Sequence, residues 1–426
     1  MPIFPLPQFV SQALSENWWT YLVFGLIGFG FGYVLEISGF GNSKKLAAQF
    51  YFKDLTVLKV MFTAIVTAMV LLFLSSAVGI LDFNLVYIPE TYLSSGIVGG
   101  LIMGVGFIVG GFCPGTSLVS ASTGKIDGIV FVLGAATGVW AFGETVDGFW
   151  QWWNTSGYFG RLTLMDAFHL PTGVVVLLVV LMALFMFWGG EKLEAIFGKK
   201  DLSKEPKLRV VGAGVLVALA LAVLVIGQPT AADKYASLTI SRTVEAEKVA
   251  FTPEQLLAGR LVQIHPGELL DSLADQKLNV VMLDVRSEAD YNLFHIRGAQ
   301  NVPLADLETA VPALLSQPPT NTVVVLMSND ETAASDAWKV LIANSVPNVY
   351  ILEGGVNNWL SIFGADEADI TPTPVPPADD ALAYTFPSAL GDRYEAADPE
   401  PEAWELEYTP KIQLQRQRGP SGGGCG

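Results

Sequence analysis

Cysteine and histidine are almost missing from this chain, with two of the first and three of the second in 426 residues. With only Cys113, in an apolar run, and Cys425, in the last two residues, no structural disulfide framework is expected, and two thiols with three imidazoles assemble no zinc ligand set. No metal site and no cofactor is therefore expected. Charge is scarce in the first half, where residues 1–228 hold 12 Lys+Arg and 13 Asp+Glu, a net of −1. The remainder holds 12 and 28, a net of −16. A basic surface is thus lacking throughout, which argues against nucleic acid and anionic lipid as partners. The N-terminus also lacks the positive region and cleavage site of a secretory signal, so the first apolar segment is expected to stay in the protein.

What the chain has instead is apolar length, 51% of its residues being hydrophobic. Six stretches, at about 18–38, 55–81, 94–113, 126–146, 171–190 and 209–228, are long and apolar enough to span a bilayer. Their connections sort by charge. Lys44, Lys45 and Lys53, then Lys125, then Lys192, Lys199, Lys200, Lys204 and Lys207 follow the odd-numbered spans. Asp82, Glu90, Asp147, Asp166 and a single Arg161 follow the second and fourth. By the positive-inside rule the lysine loops are cytoplasmic, both termini lie outside, and Trp150, Trp152 and Trp153 form an interfacial belt on the outer side.

Two breaks interrupt this pattern. Shifted by 72 positions, Gly39-Phe40-Gly41 overlays Gly111-Phe112-Cys113, Leu46 overlays Leu118 and Lys53 overlays Lys125. Paired interrupted segments in two halves point to a transport site, and under this topology both breaks face the cytoplasm, as parallel repeats would. In the second copy Pro114 and Gly115 end the apolar run, and Thr116 and Ser117 follow without charge. Broken backbone at membrane depth survives only where protein or a water-filled cavity satisfies it. Cys113 is therefore a candidate pathway residue, with Pro114, Gly115, Thr116 and Ser117 as its companions. The competing reading is a small hydrophobe buried in a helix bundle. Glu36, two residues before the first break, is either a functional intramembrane acid or an interfacial one.

After Gly227-Gln228-Pro229 a polar linker is expected over 229–257, and a soluble domain over 258–364. Val280–Asp284, Val323–Met327 and Val349–Leu352 are short continuous apolar runs, as buried parallel strands are. Helical patterns over Gly267–Ala274 and Ala333–Ile342 complete an α/β fold with a parallel sheet. Residues 365–426 are acidic and Pro-rich, with Pro372, Pro374, Pro376 and Pro377. That composition builds no core of its own and reads as a disordered tail.

The soluble domain resembles a rhodanese (sulfurtransferase) domain. The resemblance rests on Leu283-Asp284-Val285-Arg286, Glu288, Tyr291, His295-Ile296-Arg297-Gly298-Ala299, Asn301-Val302-Pro303 and Leu352–Trp359. The first 228 residues resemble the YeeE/YedE family of thiosulfate and sulfur transporters, on the Gly-Phe-Cys-Pro-Gly break and the repeat. The resemblance implies that Cys113 contacts the sulfur of the passing anion. Six spans are fewer than full-length members of that family carry, which points to a homo-oligomer. Where rhodaneses place a nucleophilic cysteine, this chain has Ser328, followed by Asn329-Asp330-Glu331-Thr332-Ala333. Sulfur transfer needs a thiolate, so the domain is expected to be catalytically silent, with Asp330 and Glu331 repelling anions. The resemblance implies that His295 packs beside Asp284 and Arg286; His169 and His265 read as surface residues.

The expectation is a multi-pass protein of the cytoplasmic (inner) membrane that transports thiosulfate or a related inorganic sulfur anion. Its silent rhodanese-like domain, outside the membrane, would bind or regulate that species. Cys425 gives an alternative, a membrane-anchored sulfur relay in which the terminal thiol acts as carrier. A tail of about 60 free residues would have a reach of roughly 40–45 Å, and a sulfur-carrier or sulfurtransferase protein would then be the partner. A third reading makes the domain an interaction module of a larger membrane complex.

Overall fold

Runs of Leu, Val, Ile and Gly without charge leave the backbone no partner but itself, and in the first 228 residues the chain answers with helices. The computed structural model describes residues 19–86, 88–199, 208–244, 247–318, 320–364, 371–373, 380–386, 399, 404 and 406–414. It divides the chain into two compact units, one built mainly from Leu6–Phe83 and Ile88–Gln228, the other mainly from Pro229–Pro420.

The first unit contains α1 (Trp19–Ile37), a short α2 (Ser43–Ala47), α3 (Thr56–Ala77), α4 (Leu93–Gly110), α5 (Pro114–Ser122), α6 (Ile126–Thr145), two short helices α7 (Trp150–Thr155) and α8 (Leu164–Phe168), α9 (Thr172–Phe197) and α10 (Leu208–Ile226). Among the described residues, five segments are long and apolar enough to cross a membrane, α4 and α5 counting as one broken run. The first expected span is a shorter apolar helix, Tyr21–Ile37. Helix α9 runs seven residues past the end expected at 190, because Glu191-Lys192-Leu193-Glu194 are good helix formers and their charges find partners. Glu191 pairs with Arg209 at 2.5 Å, and the fully buried Glu194 takes Lys59 Nζ and the Leu55 N–H, both at 2.6 Å.

Helices α3, α9 and α10 form the tight part of this unit, sealed by Val66, Val70, Phe73, Val176, Val180 and Val223. A Cβ on Gly173 would come within 2.6 Å of Leu224 Cα, so α9 and α10 touch backbone to backbone there. Small residues at such crossings are how helices associate where lipid removes the hydrophobic drive between them.

The second unit is α/β. Its five-stranded sheet has the order β3-β7-β6-β4-β5, all pairs parallel, with β3 at Gln263–Ile264, β4 at Asn279–Asp284, β5 at Gln300–Asn301, β6 at Thr322–Met327 and β7 at Val349–Leu352. All six residues of the central β6 are buried, as its unbroken apolar run predicts. One face is covered by α12 (Pro253–Ala258), α15 (Leu307–Ser316) and α16 (Thr332–Ala343). The other is covered by α13 (Pro266–Ala274) and α17 (Gly355–Phe363), with α14 (Glu288–Leu293) beside it.

The stretch 229–257 is more than a connection. Thr230 caps α11 (Ala231–Ser237), a hairpin pairs β1 (Ile240–Val244) with β2 (Glu247–Phe251), and Ile240 and Leu256 enter the first core face. The acidic tail has no core of its own, and two of its segments borrow one. Leu382, Tyr384 and Phe386, then Trp404, Leu406, Ile412 and Leu414, lie on the second face. Thr371–Pro372 (β8) pairs with Tyr384–Thr385 (β9). Glu268 accepts the N–H groups of Lys411 and Ile412 at 2.6 and 2.7 Å, and Gln413 exchanges two hydrogen bonds with the Thr243 backbone. A sparse scatter of apolar residues among acids and prolines hides such borrowing, because periodicity reports a core only where one element supplies it.

Two glycines of α9 separate packing from propensity. Gly173→Val should destabilise the membrane unit by about 1–3 kcal/mol through overpacking. Gly189→Ala, with nothing within 4 Å of the added Cβ, should leave stability unchanged or slightly raised. Denaturant unfolding in detergent, followed by tryptophan fluorescence, reads both.

Candidate functional site

The two breaks share a backbone conformation as well as a sequence. Gly39 and Gly111, one repeat apart, sit at φ +78° and +71° and close the helices α1 and α4. The pair Phe52 and Gly124, again 72 positions apart, adopts φ +54° and +76°. Left-handed backbone is open to glycine and strained for phenylalanine, so Phe52 keeps a conformation that its residue type does not favour. The chain crosses once on α3 and returns on α4, which brings both breaks to the same end of the unit. There Phe40 and Phe112 are buried in one cluster with Leu46 and Val57. A Cβ on Gly111 would meet Ser43 at 3.2 Å, so the second break lies directly on the first.

Cys113 stands at the restart of the helix. It is the N-cap of α5, with Pro114 at the first helical position. Its Sγ accepts the Thr116 N–H at 3.5 Å and lies 3.2 Å from Thr116 Oγ1, while the Cys113 N–H donates to Thr116 Oγ1 at 3.0 Å. Cys113 is half-buried, Pro114 exposed, Gly115 half-buried, and Thr116 and Ser117 buried. The two hydroxyls turn inward. Thr116 Oγ1 donates to Cys113 O at 3.2 Å and Ser117 Oγ to Pro114 O at 2.7 Å. Of the expected group, the thiol and the Pro114–Gly115 edge are therefore the parts presented outward.

Charge gathers beside the other break. Lys125 Nζ lies 3.3 Å from Glu36 Oε1, and Gly41, the counterpart of Cys113, is the floor beneath this pair. A Cβ on Gly41 would fall 2.7 Å from Glu36 Oε2 and 2.8 Å from Lys125 Nζ. Ser43 Oγ donates to Asp127 Oδ2 at 2.8 Å, and Lys45 Nζ to Ser38 O at 2.8 Å.

In the soluble unit Ser328 follows the last residue of β6 with no exposure at all. Its Oγ donates to Asp330 O at 3.1 Å and accepts the Ala334 N–H at 3.2 Å, so the hydroxyl braces the turn into α16. Arg286 is also buried. It holds Asp284 through Nε at 2.9 Å and Nη2 at 2.5 Å, Phe294 O at 2.6 Å and Asn329 Oδ1 at 2.9 Å. His295 stacks on Tyr291 at 3.9 Å and bonds its carbonyl at 2.9 Å, next to the Phe294 carbonyl that Arg286 holds. Glu331 is tied bidentately to Arg260 at 2.6 and 3.2 Å and accepts the Gly354 N–H at 2.7 Å. His265 caps α13, its Nδ1 accepting the Gly267 N–H at 3.0 Å, and His169 is exposed at the end of α8. Cys425 lies outside the described residues.

Comparison with known proteins places this geometry. Residues 38–257, just over half of the chain, match the family described as Sulphur transport. The chain belongs to the sulphur transport family. Residues 265–362 match the Rhodanese-like domain, so this family member is a multi-pass membrane protein whose sequence continues into a rhodanese-like domain. A TBC domain-containing protein kinase-like protein of Gallus gallus is 38% identical over 102 residues, 22% of this chain and 11% of that protein. The chain thus spans about a tenth of that relative's length. Among solved structures, the rhodanese-like domain of an Anabaena protein is 22% identical, over 32% of this chain and 98% of its own, with a TM-score of 0.22. A Lactobacillus plantarum protein is 25% identical over 26% and 90%, also with a TM-score of 0.22.

Against this sulphur transport framework, sequence reasoning singled out Cys113 and Glu36 but missed Lys125, Asp127 and Ser43 as their neighbours. The matching of Lys53 with Lys125 across the repeat was the signal for one of them. Removing the brace at the rhodanese-like loop has a measurable cost. Ser328→Ala leaves the Ala334 N–H without its acceptor and should destabilise the soluble unit by about 1 kcal/mol. A shift in the urea midpoint of the full chain, with unchanged slope, checks this.

Proposed function

We propose that the membrane unit carries thiosulfate, or a closely related inorganic sulfur anion, across the cytoplasmic membrane, with Cys113 as its sulfur contact. One observation carries the reading. In a member of the sulphur transport family, a half-buried thiol stands where two helix breaks meet, with a backbone N–H directed at its sulfur. A thiol is a weak donor and a polarizable acceptor, suited to brief contact with a soft sulfur atom. Gly115, in the first turn of α5, has an amide outside the intrahelical ladder, which suits it to an anion's oxygen. Weak contact at several points favours passage, because a tightly held ion does not leave.

The rhodanese-like domain takes no part in sulfur transfer on this reading and serves to bind or regulate. A serine hydroxyl is almost wholly protonated at neutral pH and forms no persulfide, and Ser328 Oγ is engaged inside its own loop. The lysine-rich loops support an arrangement with this domain outside the cytoplasm.

Uptake of radiolabelled thiosulfate into proteoliposomes tests the transport reading. Cys113→Ala should lower uptake by about tenfold or more, the loss of one contact worth about 1.4 kcal/mol, at unchanged protein content. Undiminished uptake in that variant would refute the role of the thiol. The full chain should also show no thiosulfate:cyanide sulfurtransfer above buffer, and steady turnover would overturn the silent reading of the domain.

A further inference from the structure

The loop after Ser328 already holds a ligand, and the ligand is the chain's own tail. The N–H groups of Asn329 and Asp330 both point at one oxygen, Asp380 Oδ1, at 3.0 and 3.3 Å. Asn329 Nδ2 donates to Asp380 O at 2.8 Å, and the Asp380 N–H returns to Asp330 Oδ2 at 2.8 Å. Asn357 continues the grip, Nδ2 donating to Ala381 O at 2.9 Å and Oδ1 accepting the Ala383 N–H at 2.7 Å. Leu382, Tyr384 and Phe386, every second residue, face the second core cluster, and Phe386 stacks on Phe294 with ring centroids 4.8 Å apart. An amide pair takes a carboxylate, two asparagines take main chain, and alternate side chains enter apolar contacts. That is how a groove receives an extended peptide.

Around Asp380 the contact has features of a docked segment laid onto a finished core. Asp380 is held at φ +53°, a sparsely populated conformation that surrounding contacts must impose. Its carboxylate sits beside that of Asp330. Burial first, and then that neighbour, push the Asp380 carboxyl above its ordinary range. Burial also acts to raise Asp330, but the N–H groups of Thr332 and Asp380 outweigh it and leave that carboxyl below its ordinary range. A small free anion would meet the same acid without bringing an N–H to satisfy it. Arg286, the buried cation of the site, is already committed to Asp284, Phe294 O and Asn329.

We propose that the mouth of the rhodanese-like domain is a peptide-binding groove for an extended segment with an aspartate followed by apolar residues at alternate positions, and that residues 380–386 are its tethered occupant. The domain thereby exchanges sulfur chemistry for recognition of acidic–apolar peptide, and the tail keeps the groove closed until a segment of the same chemistry displaces it. The proposal does not depend on the transport reading.

Amide hydrogen exchange on the full chain in detergent tests it. Asp380→Ala should speed exchange at Asn329 and Asp330 by about tenfold or more, while the β6 amides of Val323–Leu326 stay as slow as in the wild type. In the double variant Asp380→Ala/Phe386→Ala, a synthetic peptide of residues 378–387 added in trans should restore protection. The same peptide carrying Asp380→Ala should bind about tenfold more weakly, and thiosulfate should restore nothing. Unchanged exchange at the two loop amides overturns the proposal. So does faster exchange throughout β6 in both Asp380→Ala and the milder Asp380→Asn, which would make the contact part of the fold. Protection by thiosulfate equal to that by the peptide would also overturn it, the site then being a small-anion cradle.

Discussion

A helix that stops in apolar surroundings must find new partners for the groups at its end, and the transport unit is arranged around two such stops. Each is closed in the same way. The chain turns left-handed at Gly39 or Gly111, an amide at the turn folds back on the helix just ended (Phe40 onto Leu35 O, Gly111 onto Phe107 O), and Phe40 or Phe112 drops into a shared apolar cluster. The turn needs glycine, the cluster needs an aromatic, and the two breaks need each other to bury it. Cys113 owes its place to this constraint. It caps a new helix because the old one has ended three residues earlier.

The soluble unit solves a related problem at the end of β6. The loop Ser328–Glu331 leans on the start of α17, where Gly355 is left-handed and any Cβ would land on the Asp330 carbonyl. Val356 and Asn357 donate to the carbonyls of Ser328 and Asn329 at 2.9 and 3.0 Å. The turn after β6 is therefore fixed from both sides, by α16 and by the start of α17. A hydroxyl at Ser328 serves as a brace for α16, a task that asks only for hydrogen bonds.

Much of this was legible in the residues. The continuous runs at 280–284, 323–327 and 349–352 became strands because a sheet covered on both faces wants apolar side chains at every position. The repeat was visible through glycine and phenylalanine, whose conformational roles leave little freedom. The charged pair Glu36–Lys125 was not visible as a pair, since 89 positions separate its members and only the fold brings them together. The hairpin at 240–251 and the tail segments at 380–386 and 404–414 were hidden for a different reason. Their apolar residues complete a core built by other elements, so no periodicity of their own announces them.

Anchoring of the tail at 406–414 also sets a leash. This segment is held at Glu268, Thr243 and Tyr350, and eleven peptide units separate Leu414, its last described residue, from Cys425. A fully stretched strand of that length covers about 40 Å, against about 200 Å for a tail loose from residue 365 onward. Anchoring at 406–414 thus shortens the reach open to Cys425 about fivefold.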